Sequence, residues 1–272
     1  MPGISVRQAG LDDLEAVAEI SRLTWEGEDY LEGAAKEWVG DGSLYVGEAD
    51  GTVLGTFRLS MMPRRVIWLE ALRVHADHRG MGFGRELAQA AFERGRAMII
   101  RGEGSCMEFS TYVNNHESIH ISRSQGFRVV DRFMLMTREG PAANDDIHPL
   151  VPSIEKLDDI MDHIPCGWKY PRFCDEGLEW ALERCEAFSC RGVIFMRRRD
   201  SDEATPAGGS AKDPVSFLEG AETLAAGRGE DHCCILFHES RHDIGELARG
   251  RGYSTWEPVE DHNVLVFRYE EH

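Results

Sequence analysis

The sequence predicts a two-part α/β protein, and three observations predict it. Segments with period-2 apolar patterning alternate with segments of helical period along the chain. A glycine-rich turn near residue 80 joins a strand to a helix. A polar, proline-bracketed stretch over Pro141 to Pro152 separates two halves with the same element order. The expected layout is a first domain at 1–140, a linker at 141–152 and a second α/β domain at 153–272.

Ile4 to Arg7 reads as a first strand. Leu11, Leu14, Val17, Ala18 and Leu23 then recur at helical spacing, with Asp12 and Asp13 where the helix dipole favours anions. Leu31 to Val39 is a second helix. Leu44 to Glu48, Val53 to Ser60 and Val66 to Val74 are strands, the first two joined by a hairpin turn at Asp50-Gly51. After the glycine turn, Leu87, Ala88, Ala91 and Phe92 mark one face of a helix. Met107 to Val113 is a strand, Glu117 to Ser124 a helix and Phe133 to Met136 a strand. In the second half we expect strands at Val193 to Met196, Cys233 to His238 and Val264 to Tyr269. Helices are expected at Val215 to Ala226 and Asp243 to Arg249, and Arg199 to Asp213 reads as a mobile loop. Gly126-Phe127 and Gly252-Tyr253 precede the last strand of each half, which suggests a degenerate internal repeat.

Composition narrows the function. With 48 acidic and 30 basic residues the net charge is −18. That field repels phosphate backbones, so we expect no nucleic acid partner. No apolar run approaches the ~20 residues that span a bilayer, so we expect no membrane partner. Met1-Pro2-Gly3-Ile4 lacks the basic and apolar regions of a signal peptide, and the seven cysteines lack CxxC spacing. Reduced thiols and a cytoplasmic location fit both.

The chemistry is concentrated in Leu72-Arg73-Val74-His75-Ala76-Asp77-His78-Arg79-Gly80-Met81-Gly82-Phe83-Gly84-Arg85. A strand enters a glycine-rich turn that opens a helix. The first turn of a helix offers unpaired amides and the positive end of the dipole, and glycines let a pyrophosphate approach closely. Arg79 and Arg85 add positive charge. A dinucleotide fold places such a turn after the first strand of its βαβ unit, but here it follows the fourth. A Walker loop needs GK[ST], which is absent.

The spacing Arg79-x-x-Gly82-x-Gly84 after Leu72-x-Val74 resembles the GNAT N-acetyltransferases. The resemblance covers roughly residues 4 to 138. It continues through Asn115, Ser118, Gly126 and Phe127, with Ser122 where many members carry a tyrosine. It implies a mixed, mostly antiparallel central sheet flanked by helices, plus a smaller C-terminal α/β unit resembling a degenerate second copy. It implies acetyl-CoA as cofactor. The implied cofactor contacts are Leu72, Arg73, Val74, Arg79, Gly80, Met81, Gly82, Phe83, Gly84, Arg85, Asn115 and Ser118, with backbone groups of Leu72 and Val74 against the pantetheine and thioester. The missing tyrosine weakens the case for an acid-catalysed departure of CoA. A thiol with pKa near 8.5 leaves as thiolate without one.

The attacking amine must be neutral, so a base is required. Glu70 is expected in that role because it lies in an otherwise apolar strand, two residues before Leu72. Glu70 and Ser122 are the two expected catalytic positions. Trp25, Glu28, Asp29 and Tyr30 lie where the family walls its acceptor site, and Tyr112 is a further substrate contact. This stretch, Trp38, Glu70-Ala71-Leu72-Arg73-Val74 and the extra C-terminal region together resemble the histidine N-acetyltransferase branch. We therefore expect direct transfer of acetyl to the primary amine of a small molecule, a free amino acid in particular, by a monomer or homodimer. Acetylation of a protein N-terminus or lysine, and acyl-CoA sensing without turnover, remain as alternatives. His116-Glu117-x-x-His120 spells a zinc-protease signature, but no third ligand follows at the usual spacing, so no metal is expected.

Overall fold

The computed structural model describes residues 4–140, 147–157, 162–199, 203–209 and 213–271. The chain forms two compact units. Unit 1 contains residues 1–109, 120–127 and 268–272; unit 2 contains 110–119 and 128–267.

In unit 1, β1 (Ser5–Gln8), β2 (Leu44–Ala49), β3 (Thr52–Met62) and β4 (Val66–Val74) are antiparallel neighbours in that order. β5 (Cys106–Tyr112) then lies parallel to β4. A parallel neighbour needs a crossover, and α3 (Phe83–Ile100) supplies it. Phe83, Leu87, Ala91 and Gly95 form its buried face. A Cβ at Gly95 would stand 2.2 Å from Met107 Sδ, so any larger residue there forces the Met107 side chain to move. On the other side α1 (Leu14–Arg22) and α2 (Leu31–Gly40) bury Val17, Leu31, Ala35 and Trp38 with Leu44, Val46 and Ala71. The chain's last residues complete this unit. Arg268 donates to the buried Glu108, the Tyr269 ring packs on Phe92 and Phe127, and Glu271 pairs with Arg96.

Unit 2 repeats this plan. β7 (His148–Pro149), β8 (Cys185–Cys190), β9 (Val193–Arg198) and β10 (Glu203–Gly209) are antiparallel neighbours. β11 (His232–His238) then lies parallel to β10, with α6 (Pro214–Gly227) as the crossover. β11 pairs antiparallel with β6 (Arg128–Glu139), and β12 (Val264–Tyr269) follows β6. α5 (Asp175–Arg184) and α7 (His242–Gly250) complete the helices. Phe195, Phe217, Phe237, Met134 and Ile244 are central to its core.

Several expectations change. The units do not divide at residue 140: β6 belongs to unit 2, and the C-terminal residues belong to unit 1. Unit 2 is not the smaller one but holds the larger share of the chain. The expected linker contains β7, which pairs with β8; 141–146 lie outside the described residues. The expected loop at 199–213 contains β10. Its Pro206 and glycines disguise a strand, and a register shift between Pro206 and Gly208 absorbs them. Residues 200–202 and 210–212 lie outside the described residues. Among the described residues, no helix is long and apolar enough to cross a membrane.

Candidate active site

In unit 1 the site is organised by β4. Its parallel ladder with β5 pairs Val66, Ile67 and Trp68 with Cys106, Met107 and Glu108, and goes no further among the described residues. β4 itself continues to Val74. Strands that part leave main-chain donors and acceptors unused by the ladder, and an extended ligand can pair with them.

β4 is also bulged. Thr56 pairs with Arg73 and Arg58 with Glu70, so two steps on β3 face three on β4. Ala71 takes a left-handed φ of 55°, and Thr56 Oγ1 donates to its carbonyl at 2.9 Å. The bulge breaks the simple alternation that put Glu70 and Leu72 on one face. Ala71 is buried, and Leu72 is exposed.

Glu70 is not the uncompensated carboxylate that the apolar strand suggested. Its Oε1 accepts from Arg58 Nη1 at 2.9 Å and from Ser60 Oγ at 3.2 Å. Arg58 is itself buried, donates to Ser43 and Asp41, and lies 4.3 Å over the Trp38 ring. Glu70 therefore shares Arg58 with Asp41 in a paired cluster on β3 and β4.

Arg73, expected at the cofactor, points its charge elsewhere. Its Nε and Nη2 both donate to the buried Asp29, and its guanidinium lies 4.2 Å over Trp25 and 5.8 Å from the Tyr30 ring. Asp29 is thereby neutralised and does not offer a bare carboxylate to an ammonium. Trp25 and Tyr30 are exposed, and Glu28 is solvated. The segment is strained: Trp25, Glu26 and Gly27 have φ of 46°, 58° and 93° in succession. Such backbone persists where its surroundings over-determine it. Here Ser21 Oγ donates to the Asp29 carbonyl, and Arg79 Nη2 reaches Leu23 O and Thr24 Oγ1.

Arg79 therefore ties the glycine turn to the end of α1. Its Nε also donates to the Val74 carbonyl, and the Leu72 carbonyl accepts from Arg73 Nη1. Each of these two expected cofactor carbonyls thus already serves one arginine, with a second lone pair remaining.

The turn itself is open. Gly80 (φ 75°) and Gly82 (φ 94°) adopt backbone that disfavours side chains, and a Cβ on either would meet nothing within 4 Å. Gly82 caps α3, and the first amides to bond back to its carbonyl are those of Arg85 and Glu86. The Phe83 and Gly84 amides come before that ladder, at the positive end of the dipole. Met81 is exposed, whereas the Phe83 side chain is buried and leaves only its backbone for a ligand. A cleft beside the turn is lined by Arg85 and Gln89 of α3 and by His120, Ile121, Ser124 and Gln125. A glycine turn, a helix N-terminus and the exposed Arg85 beside a cleft thus lie together at the start of α3.

The model of the acetyltransferase (GNAT) family matches residues 14–127. Over those residues the chain is similar to GNAT acetyltransferases. Acetyl-CoA is the acetyl donor of GNAT enzymes, and the glycine cradle, Arg85 and the parted β4 fit its pyrophosphate and pantetheine. A putative acetyltransferase from Thermoplasma acidophilum is similar over 98% of this chain and 100% of its own, with TM-score 0.69 and 19% identity. One from Pyrococcus horikoshii is similar over 100% and 91%, with TM-score 0.67 and 13% identity. A GCN5-related N-acetyltransferase from Sphaerobacter thermophilus gives 0.61 and 15%, over 98% and 95%. These likenesses concern the fold, and they extend through both units. No curated protein matches the chain in sequence.

The remaining motif residues have mixed positions. Ser122 is buried and does not line the cleft, whereas His120 and Ser124 do. Gln89 and Gln125 line it too, and of these four only His120 stood out in the sequence. Their signal was the i,i+4 spacing Arg85/Gln89, His120/Ser124 and Ile121/Gln125 on amphipathic helices. Asn115, Ser118 and Tyr112 lie in unit 2. Asn115 caps α4 (His116–Ser124): its Oδ1 accepts from the Ser118 amide, and its Nδ2 donates to Thr111 Oγ1. That cap gives the motif asparagine a structural reason. The Tyr112 ring packs 5.8 Å from Trp256, and its hydroxyl is buried without a hydrogen-bond partner among the described residues.

Proposed function

We propose that this enzyme acetylates the primary amine of a small molecule with a flat side chain, a histidine-like free amino acid, in the cytoplasm. The observation that carries the reading is the Trp25 wall: an exposed indole on strained backbone, with one face fixed by a guanidinium whose charge Asp29 balances. The outer face of that ring, with Tyr30 beside it, suits a planar group. Cysteines that form no disulfide among the described residues suit a reducing compartment.

Acetyl-CoA supplies a thioester that an amine can attack directly, with no covalent acetyl-enzyme. The protein's part is to bind, orient and move one proton. The Phe83 and Gly84 amides and Arg85 hold the pyrophosphate. The parted edge of β4 orients the pantetheine. Glu70, with one oxygen fixed by Arg58 and Ser60, takes the proton of the acceptor ammonium directly or through water. Ser122, being buried, supports α4 rather than acting as an acid.

The test is free-thiol release from acetyl-CoA against amino acids, polyamines, aminoglycosides and N-terminal peptides. Release with histidine-like amino acids, with a KM for the amine that rises in Trp25→Ala while the KM for acetyl-CoA does not, is the expected result. Release only with peptides would move the acceptor to a protein N-terminus or lysine. Protection from heat by acetyl-CoA with no release at all would make the chain a sensor.

A further inference from the structure

Unit 2 contains a pair of thiols that the acetyl transfer does not use. Residues 163–172 form a hairpin, closed by the bridges His163–Arg172 and Cys166–Lys169. Tyr170 is buried with its ring 4.9 Å from Phe133, and the Trp168 carbonyl accepts from Ser110 Oγ at 2.7 Å. Cys166 lies on the first arm of this hairpin, and Cys185 begins β8. Their sulfurs are 2.7 Å apart, although the residues are 19 apart in sequence. Each is 2% exposed, in an apolar cluster with Ile164, Leu178, Ala181 and Met196.

The other cysteines are differently placed. Cys106 contacts Glu108, Cys174 accepts from the Gly177 amide at the start of α5, and Cys233 accepts from the Tyr253 hydroxyl. Cys190 and Cys234 are buried among the strands.

We propose that Cys166 and Cys185 form a reversible disulfide that staples the 163–172 hairpin to β8. Both sulfurs already lie close enough that closing the bond needs only a small approach. The hydrogen bond between the two sulfurs outweighs burial and, with the positive charge of Arg198, Arg184 and Lys169, holds the Cys166 thiol below its ordinary range. The Cys185 thiol is correspondingly held up by the neighbouring sulfur and by burial. The oxidant that suits so enclosed a site is a hydroperoxide small enough to enter. The Cys166 thiolate attacks one peroxide oxygen, the O–O bond breaks, and Cys166 becomes a sulfenic acid with release of hydroxide. Cys185 sulfur then displaces the second oxygen as water. Two thiols and one hydrogen peroxide give one disulfide and two waters. A dithiol reductant reverses the step by exchange.

The experiment uses the intact chain with hydrogen peroxide as the probe. After treatment, the protein is unfolded in iodoacetamide, digested without reductant and analysed by mass spectrometry. The expected result is a peptide pair joined through Cys166 and Cys185, two hydrogens lighter than the separate peptides, which dithiothreitol abolishes. The remaining five cysteines stay alkylated. In Cys185→Ser, Cys166 is expected to stop at sulfenic acid and to be trapped by dimedone. Alkylation of both Cys166 and Cys185 in treated wild type would overturn the proposal. So would a sulfinic acid on either with no joined peptide, or a joined peptide through another cysteine. These readings do not depend on acetyl transfer, so they stand apart from the identity of the acceptor.

Discussion

Asp29 receives Nε and Nη2 of Arg73, each at 3.2 Å, on the underside of the Trp25 ring. The Asp29 side chain is wholly buried, and Arg73 is 15% exposed. Removing one charge from such a pair leaves the other desolvated and unpaired, at a cost of about 3–5 kcal/mol. Asp29→Asn keeps the shape and removes the charge. We expect its urea midpoint to fall by an amount equivalent to about 3 kcal/mol, with m unchanged. A variant as stable as the parent would mean that Arg73 finds compensation elsewhere and that the wall is not held by this pair.

Glu70 lies in a cluster where one arginine serves two acids. Arg58 reaches Glu70 at 2.9 Å and Asp41 at 3.1 Å. If Glu70 takes the acceptor's proton, Glu70→Gln should lower kcat by roughly 10²–10⁴ and leave the KM for acetyl-CoA unchanged. A purely structural Glu70 would instead lower stability and leave the kcat of the folded molecules unchanged. Measuring kcat and the urea midpoint of the same preparation separates the two roles.

Much of unit 1 was legible because its signals are local. Leu87 and Ala91 on α3, Asp50-Gly51 at the hairpin and the glycines before α3 each declare their conformation within a few residues. What sequence could not convey is long-range. The Glu70–Arg58 pair joins positions 12 apart across a bulge that only backbone geometry reveals. Arg73 meets Asp29 over 44 residues, so its charge read as available to phosphate when it was already satisfied. Ser122 stood at a motif position whose family residue is long enough to reach outward, and a serine there is simply buried. In unit 2, β10 was hidden by Pro206, Gly208 and Gly209, which ordinarily argue against a strand. The make-up of unit 1 rests on equally distant contacts. Arg268 and Tyr269 complete unit 1 through Glu108, Phe92 and Phe127, and no feature of the last five residues announces that destination.

Gly82 offers a test of the proposed cofactor cradle that leaves every charge in place. Its φ of 94° disfavours any Cβ, although the space around it is open. In Gly82→Ala the methyl group meets no atom, so the cost is backbone strain, roughly 1–2 kcal/mol. Relief of that strain moves the amides of Phe83 and Gly84 away from their ligand. Calorimetric titration should show CoA binding weakened about tenfold, equivalent to 1.4 kcal/mol. Unchanged CoA affinity together with lowered stability would remove the turn from the binding site.

Asp131 links acidity to the stability of unit 2. It is buried, and its two oxygens meet His163 Nδ1 at 3.0 Å and His238 Nε2 at 2.9 Å. Burial pushes the carboxyl up, but the hydrogen bonds and charge of the two imidazoles outweigh it and hold the group below the usual carboxylate range. A folded-state pKa below the unfolded value of ~3.9 contributes stability that is complete above pH ~4. That contribution is lost as pH falls through the folded value. The wild type should therefore lose stability on acidification below pH 4, beyond what its exposed carboxylates cause. Asp131→Asn should be less stable than wild type at pH 6, and the gap should narrow steadily toward pH 3. Urea unfolding at several pH values measures this directly. A gap that stays constant from pH 6 to pH 3 would mean that the Asp131 carboxylate carries no protonation-linked stability. The two histidines would then hold it by packing alone.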